Sequence, residues 1–162
     1  MDDFAVVCPE LNAVITCRYP EVNPGRCTFE ARHFDARKVL AIDDELAAAG
    51  RPPAGFIGEA FYGNAGGMPL PDGYLAAVYG AVRRHGGVAI ADEVQVGYGR
   101  LGHWFWGFEQ QGVVPDIVAV AKSVGNGVPV GAVITRRAVA DAYRNAGYFF
   151  SSTGGSPLSS SV

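Results

Sequence analysis

Two segments with the same pattern dominate the predicted architecture: residues 88–93, which read VAIADE, and residues 117–122, which read IVAVAK. Each is a run of small or β-branched apolar residues that stops at an ionisable side chain. Such runs are typical of strands buried on both faces of a sheet. We therefore predict two buried strands, the first stopping at Asp92 and the second at Lys122.

Around these runs, helix and strand patterns alternate along the chain. The apolar residues 55–58 predict a third strand that stops at Glu59. Helices are predicted over 35–49, from an N-cap at Asp72 through Arg84, and over 138–144; further strands are predicted over 128–134 and, more weakly, 13–17. This alternation predicts an α/β fold, a mostly parallel sheet flanked by helices.

The length of 162 residues predicts a single domain, residues 1–162. Ser156 followed by Pro157 is typical of the start of a helix, yet the sequence stops at Val162. We therefore expect a partial domain of a longer protein.

Composition and charge exclude several classes of protein. Hydrophobic residues are 49% and charged residues 18% of the chain, which is unlike a disordered segment. The net charge of −3, without a basic stripe, predicts no nucleic-acid partner, and no apolar stretch is long enough to predict a membrane helix. The cysteines and histidines lack the spacing of a zinc site, so we expect no metal: they are Cys8, Cys17, Cys27, His33, His85 and His103. Reduced cysteines and the lack of a signal-peptide pattern indicate a cytoplasmic protein.

The two strand ends are the strongest candidates for chemistry. In open α/β sheets, ligands bind beyond the carboxyl ends of the strands, so Asp92 and Lys122 are placed to face one ligand. A structural ion pair between them, or exposure of both to solvent, is an alternative that the spacing leaves open. A magnesium-nucleotide site is disfavoured, because no G-x-x-x-x-G-K-[ST] phosphate loop accompanies the Asp-Glu pair.

The motifs around these residues, in order, resemble those of the class III pyridoxal-phosphate-dependent aminotransferases. They are IADEVQVGYGRLG (90–102), GVVPDI (112–117), AKSVGNG (121–127), PVGAV (129–133) and STGGSP (152–157). The resemblance covers about residues 55–162, and it implies part of the large domain of the type I aminotransferase fold. The variants DEVQVGYGR and SVGNG are most similar to the branch that contains the ethanolamine-phosphate and phosphohydroxylysine phospho-lyases.

The resemblance implies a catalytic role for each strand-end residue. Lys122 would form the internal aldimine with pyridoxal 5′-phosphate and then move the Cα proton of the substrate. Burial at the end of an apolar strand would favour the neutral amine that this reaction needs. Asp92 would pair with the pyridine nitrogen and keep it protonated, which makes the ring an electron sink.

Four further residues receive roles from the resemblance. Val94 would pack on the cofactor ring, and Gln95 would donate a hydrogen bond near its phenolic oxygen. Thr153 would bind the cofactor phosphate of the neighbouring subunit, and Glu59 would lie on the substrate side. Simpler alternatives remain open: core packing for Val94, an ordinary loop at Thr153, and a pairing with an arginine for Glu59.

The implied activity is transfer of an amino group from an amine or amino acid to an oxo acid, in a homodimer. Two alternatives stay open: a phospho-lyase that acts on a phosphorylated amine such as phosphoethanolamine, and a truncated, non-catalytic protein. We expect the 162-residue chain alone to be inactive or nearly so. An aromatic cluster follows the Asp92 motif and is predicted to serve core or subunit-interface packing: Tyr98, Trp104, Trp106 and Phe108.

Overall fold

The computed structural model describes residues 35–64, 66–147, 150–152 and 154–161. The weakly predicted strand over 13–17, the three cysteines and Thr153 lie outside the described residues. The elements in chain order are α1 (Ala36–Ala48), β1 (Gly55–Gly58), β2 (Phe61–Tyr62), β3 (Met68–Pro69), α2 (Tyr74–Arg84), β4 (Val88–Asp92), β5 (Ile117–Val120), β6 (Ala132–Thr135), α3 (Arg137–Ala146) and α4 (Pro157–Ser160). Two 3₁₀ turns cover Gly107–Gln111 and Lys122–Gly125.

Within the described residues, β1, β4, β5 and β6 form one sheet in that order. The first three strands are parallel, with Gly58 opposite Ala91 and Asp92 opposite Ala119, and this confirms the predicted mostly parallel sheet. β6 runs antiparallel to β5. It begins later than the predicted strand over 128–134, because a tight turn and Pro129, which has no N–H to donate, occupy the first part of that range.

Helix α2 provides the core that holds this sheet. Its side chains Leu75 and Val78 are fully buried, and they pack with Phe56 of β1, which is also fully buried. The spacing of the apolar positions along α2 places its buried side chains on one face. Helix α1 packs against α2.

The N-caps of α1 and α2 differ. Asp35 caps α1 as expected for a helix over 35–49, its Oδ1 accepting a hydrogen bond from the Arg37 N–H at 2.9 Å. The prediction of Asp72 as the cap of α2 is wrong. The cap is Gly73, whose φ of 75° is a left-handed conformation that glycine adopts without strain.

Asp116 ties the amino-terminal ends of β4 and β5 to two neighbouring elements. Its Oδ2 accepts from the Ala89 N–H and from Arg83 Nε of α2, both at 2.9 Å, and its Oδ1 accepts from Arg136 Nη2 at 2.6 Å. Burial alone would raise the pKa of Asp116, but these donors outweigh burial and lower it. The carboxylate therefore braces the end of the sheet opposite to the candidate site.

Candidate active site

Three neighbouring parallel strands end at the same edge of the sheet, each at a predicted site residue. Glu59 follows β1, Asp92 is the last residue of β4, and Lys122 follows β5 after one intervening residue. Because β4 lies between β1 and β5, Asp92 stands in the middle of the three. The structure therefore brings together Asp92 and Lys122, which the sequence predicted to face one ligand, and Glu59, which the family resemblance placed on the substrate side.

Asp92 is half-buried, and its Oδ1 accepts a hydrogen bond from the Val94 N–H at 3.0 Å. This short bond fixes the carboxylate at the point where the chain leaves the sheet. Val94 is half-buried as well. Among the ion pairs of the described residues, none joins Asp92 to Lys122, so the alternative of a structural Asp–Lys pair is not supported.

Lys122 lies on a tight turn between β5 and β6, in a backbone conformation rare for a side-chain-bearing residue. Its φ is 55°, in the left-handed region, and Asn126 shares this conformation at the end of the same turn. The turn is closely packed, since a Cβ on Gly125 would lie 3.2 Å from Val130. Strain of this kind costs about 1–3 kcal/mol and concentrates at functional sites.

The expected burial of Lys122 is wrong for the described chain. Its side chain is exposed, because the strand ends before the lysine and the following 3₁₀ turn carries it beyond the sheet. The apolar residues of β5 therefore position Lys122 without covering it.

Glu59 is influenced by both other strand-end residues. The pKa of the Glu59 carboxyl is raised, chiefly by desolvation on burial and further by the negative charge of Asp92. A hydrogen bond from the Gly63 N–H and the positive charge of Lys122 both act to lower this pKa. The partner that the structure gives Glu59 is thus the Gly63 backbone at 3.2 Å, where the sequence left a pairing with an arginine open. The charges of Asp92 and Lys122 both act on the Glu59 carboxyl, so Glu59 lies within electrostatic reach of the other two strand ends.

Gln95 is held against the glycine-rich loop of residues 63–71 by Asn64, a residue that the sequence pattern did not indicate. Its Nε2 donates to Asn64 Oδ1 at 2.8 Å. A Cβ on Gly63 would lie 3.6 Å from the Gln95 Cβ and 3.8 Å from Glu59 Oε2, so Gln95, Glu59 and Asn64 meet at this loop. Part of the loop is the β2–β3 hairpin, which the sequence did not predict.

The aromatic cluster is split between core and surface. Phe108 is buried and stacks on Trp106 at 6.2 Å, in agreement with predicted core packing. Tyr98 and Trp104 are 36% and 40% exposed, so they are not part of the core of the described chain.

Two findings concern other kinds of site. The described residues contain no group of three or more side chains that would hold a metal ion. No helix in the described ranges has the length and apolarity to cross a bilayer.

A parallel sheet that gathers an amine and two carboxylates at its carboxyl edge defines the chain as an α/β protein with a candidate ligand site at its strand ends. The structure of a phospholyase from Arthrobacter in complex with phosphoethanolamine matches it with a TM-score of 0.70 at 38% sequence identity, over 77% of this chain and 30% of that one. The type I aminotransferase fold expected from the sequence is thereby confirmed.

The family model described as aminotransferase class-III matches residues 10–162, and the chain belongs to this family. A Drosophila melanogaster protein named alanine–glyoxylate aminotransferase 2-like is 48% identical over 145 residues, which are 89% of this chain and 28% of that protein. Human mitochondrial alanine–glyoxylate aminotransferase 2 is 45% identical over 149 residues, 92% of this chain and 28% of the relative. Class III aminotransferases depend on pyridoxal phosphate, as the resemblance implied. The chain spans about 28% of the length of these two relatives.

Proposed function

We propose that this chain supplies the lysine, the carboxylate and part of the ring pocket of a pyridoxal-phosphate-dependent transaminase. The observation that carries the proposal is the placement of Lys122, Asp92 and Glu59 at the ends of three adjacent parallel strands. Because the chain spans about 28% of its relatives' length, the proposal concerns the complete active site, and only the groups described above are assigned to this chain.

The donor set fits the cofactor. Pyridoxal phosphate, when bound, supplies an aldehyde that can bond to an amine and a protonated ring that withdraws electrons from the substrate. A primary amine at Lys122, a half-buried carboxylate at Asp92 and an amide at Gln95 match the aldehyde, the ring nitrogen and the phenolic oxygen.

Asp92 would hold a proton on the ring nitrogen by charge and hydrogen bonding. Its Oδ1 is anchored by the Val94 N–H, so the carboxylate is oriented before the ligand arrives. Val94 is placed beside it to pack on the ring, as the family resemblance implies. A neutral Asn at position 92 would keep the geometry and remove the charge that stabilises the ring proton.

Lys122 would hold the cofactor and then take the proton from the substrate Cα. Its position on a constrained turn fixes the start of the side chain, while the exposed amine is free to reach the ligand. Glu59, on the adjoining strand end, would face the substrate amine or carbonyl. The negative charge of Asp92 beside Glu59 would favour a positively charged substrate amine at this position.

A phospho-lyase is the second candidate, and the similarity to the Arthrobacter phospholyase with bound phosphoethanolamine favours it specifically. Here the same proton abstraction would be followed by cleavage of the C–O bond. Phosphate would leave, and water would convert the remaining two-carbon amine to acetaldehyde and ammonia. No oxo acid would be consumed, which separates the two reactions experimentally.

Two further properties belong to the proposal. We infer a homodimer, in which Thr153 binds the cofactor phosphate of the partner subunit, and light scattering tests the dimer directly. A cytoplasmic location rests on the sequence pattern, whereas the human relative is named as mitochondrial.

The test follows amino-group transfer in a single turnover. A protein that contains this chain at the full length of its relatives is mixed with pyridoxal phosphate and L-alanine, and pyruvate and pyridoxamine phosphate are measured against the same mixture without protein. We expect equal amounts of both products, formed faster than without protein, and no acceleration by Lys122→Ala. Equal rates with wild type, Lys122→Ala and no protein would contradict the proposal. Phosphate release from phosphoethanolamine, lost in Lys122→Ala, would assign the lyase reaction instead.

A further inference from the structure

A second carboxylate, Glu93, lies directly after Asp92 but on the opposite side of the chain. Its side chain is 1% exposed, among the largest fully buried side chains of the described residues. Its Oε2 accepts from the Gly107 N–H at 2.8 Å and its Oε1 from the Phe108 N–H at 3.0 Å. A buried carboxylate with two backbone donors is well satisfied, and nothing in the proposed chemistry uses it.

These two bonds close the base of a long loop. Residues 94–106 leave the end of β4 after Glu93, and the chain comes back to the Glu93 side chain at Gly107, so one side chain joins the two ends of the loop. Compact surface loops whose ends lie close together are Ω-loops, and they are frequently functional. This one carries Val94 and Gln95, the two residues assigned to the cofactor ring.

The loop is packed closely around Glu93. A Cβ on Gly107 would lie 2.7 Å from Val96 Cγ2 and 3.3 Å from Glu93 Oε1, and a Cβ on Gly97 would lie 2.9 Å from the Glu93 carbonyl oxygen. Tyr98 has a φ of 63°, so the loop contains a strained residue that its surroundings must hold in place.

Glu93 is also connected to the strand that precedes Lys122. Its backbone N–H donates to the Ala119 carbonyl of β5 at 2.9 Å. Burial raises the pKa of Glu93, and the hydrogen bonds from Gly107 and Phe108 oppose that rise because they favour the charged form. One residue thus joins β4, β5 and both ends of the loop.

We propose that Glu93 is a positioning residue: its buried carboxylate clamps the loop 94–106 and thereby holds Gln95 in contact with Asn64 at the edge of the ligand site. The clamp is a property of this chain's own residues, and its importance for the cofactor rests on the proposed function. Glu93 touches neither cofactor nor substrate. It acts through the loop that it closes.

The test compares Glu93→Gln with Glu109→Gln. Glu109, in the 3₁₀ turn after the loop, is a matched control, because its Oε2 accepts the Trp106 N–H at the end of the loop at 2.8 Å but spans only three residues. Glutamine at position 93 keeps one acceptor and places an NH₂ against the second backbone donor. Amide hydrogen exchange at Gly107 and Phe108 and the NMR signals of the Gln95 side-chain amide are measured in the wild-type chain and both variants.

We expect Glu93→Gln to speed exchange at Gly107 and Phe108 at least about tenfold and to shift the Gln95 side-chain signals. Glu109→Gln should change exchange at those two amides less than about twofold and leave Gln95 in place. Unchanged exchange, or faster exchange with unmoved Gln95 signals, would overturn the proposal. If Glu93→Gln unfolds, Glu93→Asp, which keeps the charge on a shorter side chain, is examined in the same way.

The dissociation constant for pyridoxal phosphate separates this proposal from the function it rests on. The dissociation constant is measured in a protein that contains this chain at the full length of its relatives: if that wild-type protein bound no pyridoxal phosphate, the proposed function would be contradicted, while the NMR result on the chain would still decide the clamp. With binding in the wild type, Glu93→Gln should raise the dissociation constant by about tenfold or more, and Glu109→Gln should not. Equal affinity of Glu93→Gln and wild type would overturn its role in positioning the site.

Discussion

At the scale of single residues, Asp116 and Lys122 show how side-chain contacts and backbone conformation each place a charge. Asp116 is held by a backbone N–H and two guanidinium groups at the end of the sheet away from the site. Lys122 has no such enclosure and owes its position to a strained turn. Asp116 therefore raises the free energy of unfolding, whereas the strained backbone at Lys122 lowers it.

Asp116→Asn should lower the free energy of unfolding by about 2 kcal/mol at pH 7, because a buried, charge-assisted set of hydrogen bonds is weakened. The folded-state pKa of Asp116 lies below its ordinary value of 3.8, so its stabilisation is complete well above that value and is lost as the pH falls through the folded-state pKa. Urea unfolding of both proteins at several pH values measures the difference. A gap that does not shrink in acid would contradict this account of Asp116.

Lys122→Gly should raise the free energy of unfolding by about 0.5–1 kcal/mol, because glycine adopts a positive φ without steric cost. Lys38→Gly is the matched control. Lys38 lies on the exposed face of helix α1, where glycine should lower stability by about 1 kcal/mol. Thermal unfolding of the two variants decides the matter, and a destabilised Lys122→Gly would show that the turn carries no strain.

Residues 59, 92 and 122 could be predicted from the sequence because each ends an apolar run, and parallel strands bring such ends together. The Asn64–Gln95 contact and the clamp of Glu93 on Gly107 and Phe108 could not. They join positions far apart in sequence through loop conformations that no periodicity encodes. Exposure of Lys122 was likewise beyond prediction, since it depends on where β5 gives way to the turn.

At the scale of elements, the connection from α2 to β4 shows how closely helix and sheet approach. A Cβ on Gly87 would lie 2.6 Å from Val82 Cγ1 and 2.7 Å from the Pro53 carbonyl oxygen. Gly80, on the exposed side of α2, has nothing within 4 Å of such a Cβ. A side chain at position 87 would therefore collide with its neighbours, whereas a side chain at position 80 would extend into open space.

Gly87→Ala should lower the free energy of unfolding by about 1–3 kcal/mol through overpacking. Gly80→Ala should raise it by about 0.5–1 kcal/mol, because alanine is the better helix former. Chemical denaturation followed by circular dichroism gives both values. A neutral Gly87→Ala would mean that α2 and β4 are less tightly joined than their geometry indicates.

At the scale of the whole molecule, one part of the described chain is packed around a buried core and another part leaves apolar side chains exposed. The core lies between α2 and the strands β1, β4 and β5, whereas β6 and α3 leave apolar side chains exposed, among them Val133 at 67% and Tyr143 at 57%. The three candidate site residues stand at the ends of β1, β4 and β5, the strands that pack against this core. A rigid sheet can therefore fix their positions even in a chain that spans about 28% of its relatives' length.

The central claim is that Lys122 and Asp92 act on one ligand, and the chain's two lysines, Lys38 and Lys122, allow a direct measurement. The chain is incubated with pyridoxal phosphate, treated with borohydride to fix the cofactor to reacted amines, and mapped by peptide mass spectrometry. We predict labelling of Lys122 in clear excess over the exposed Lys38, and loss of that excess in Asp92→Asn with labelling of Lys38 unchanged. Equal labelling of both lysines in the wild-type chain, or a preference for Lys122 that Asp92→Asn leaves intact, would contradict the claim.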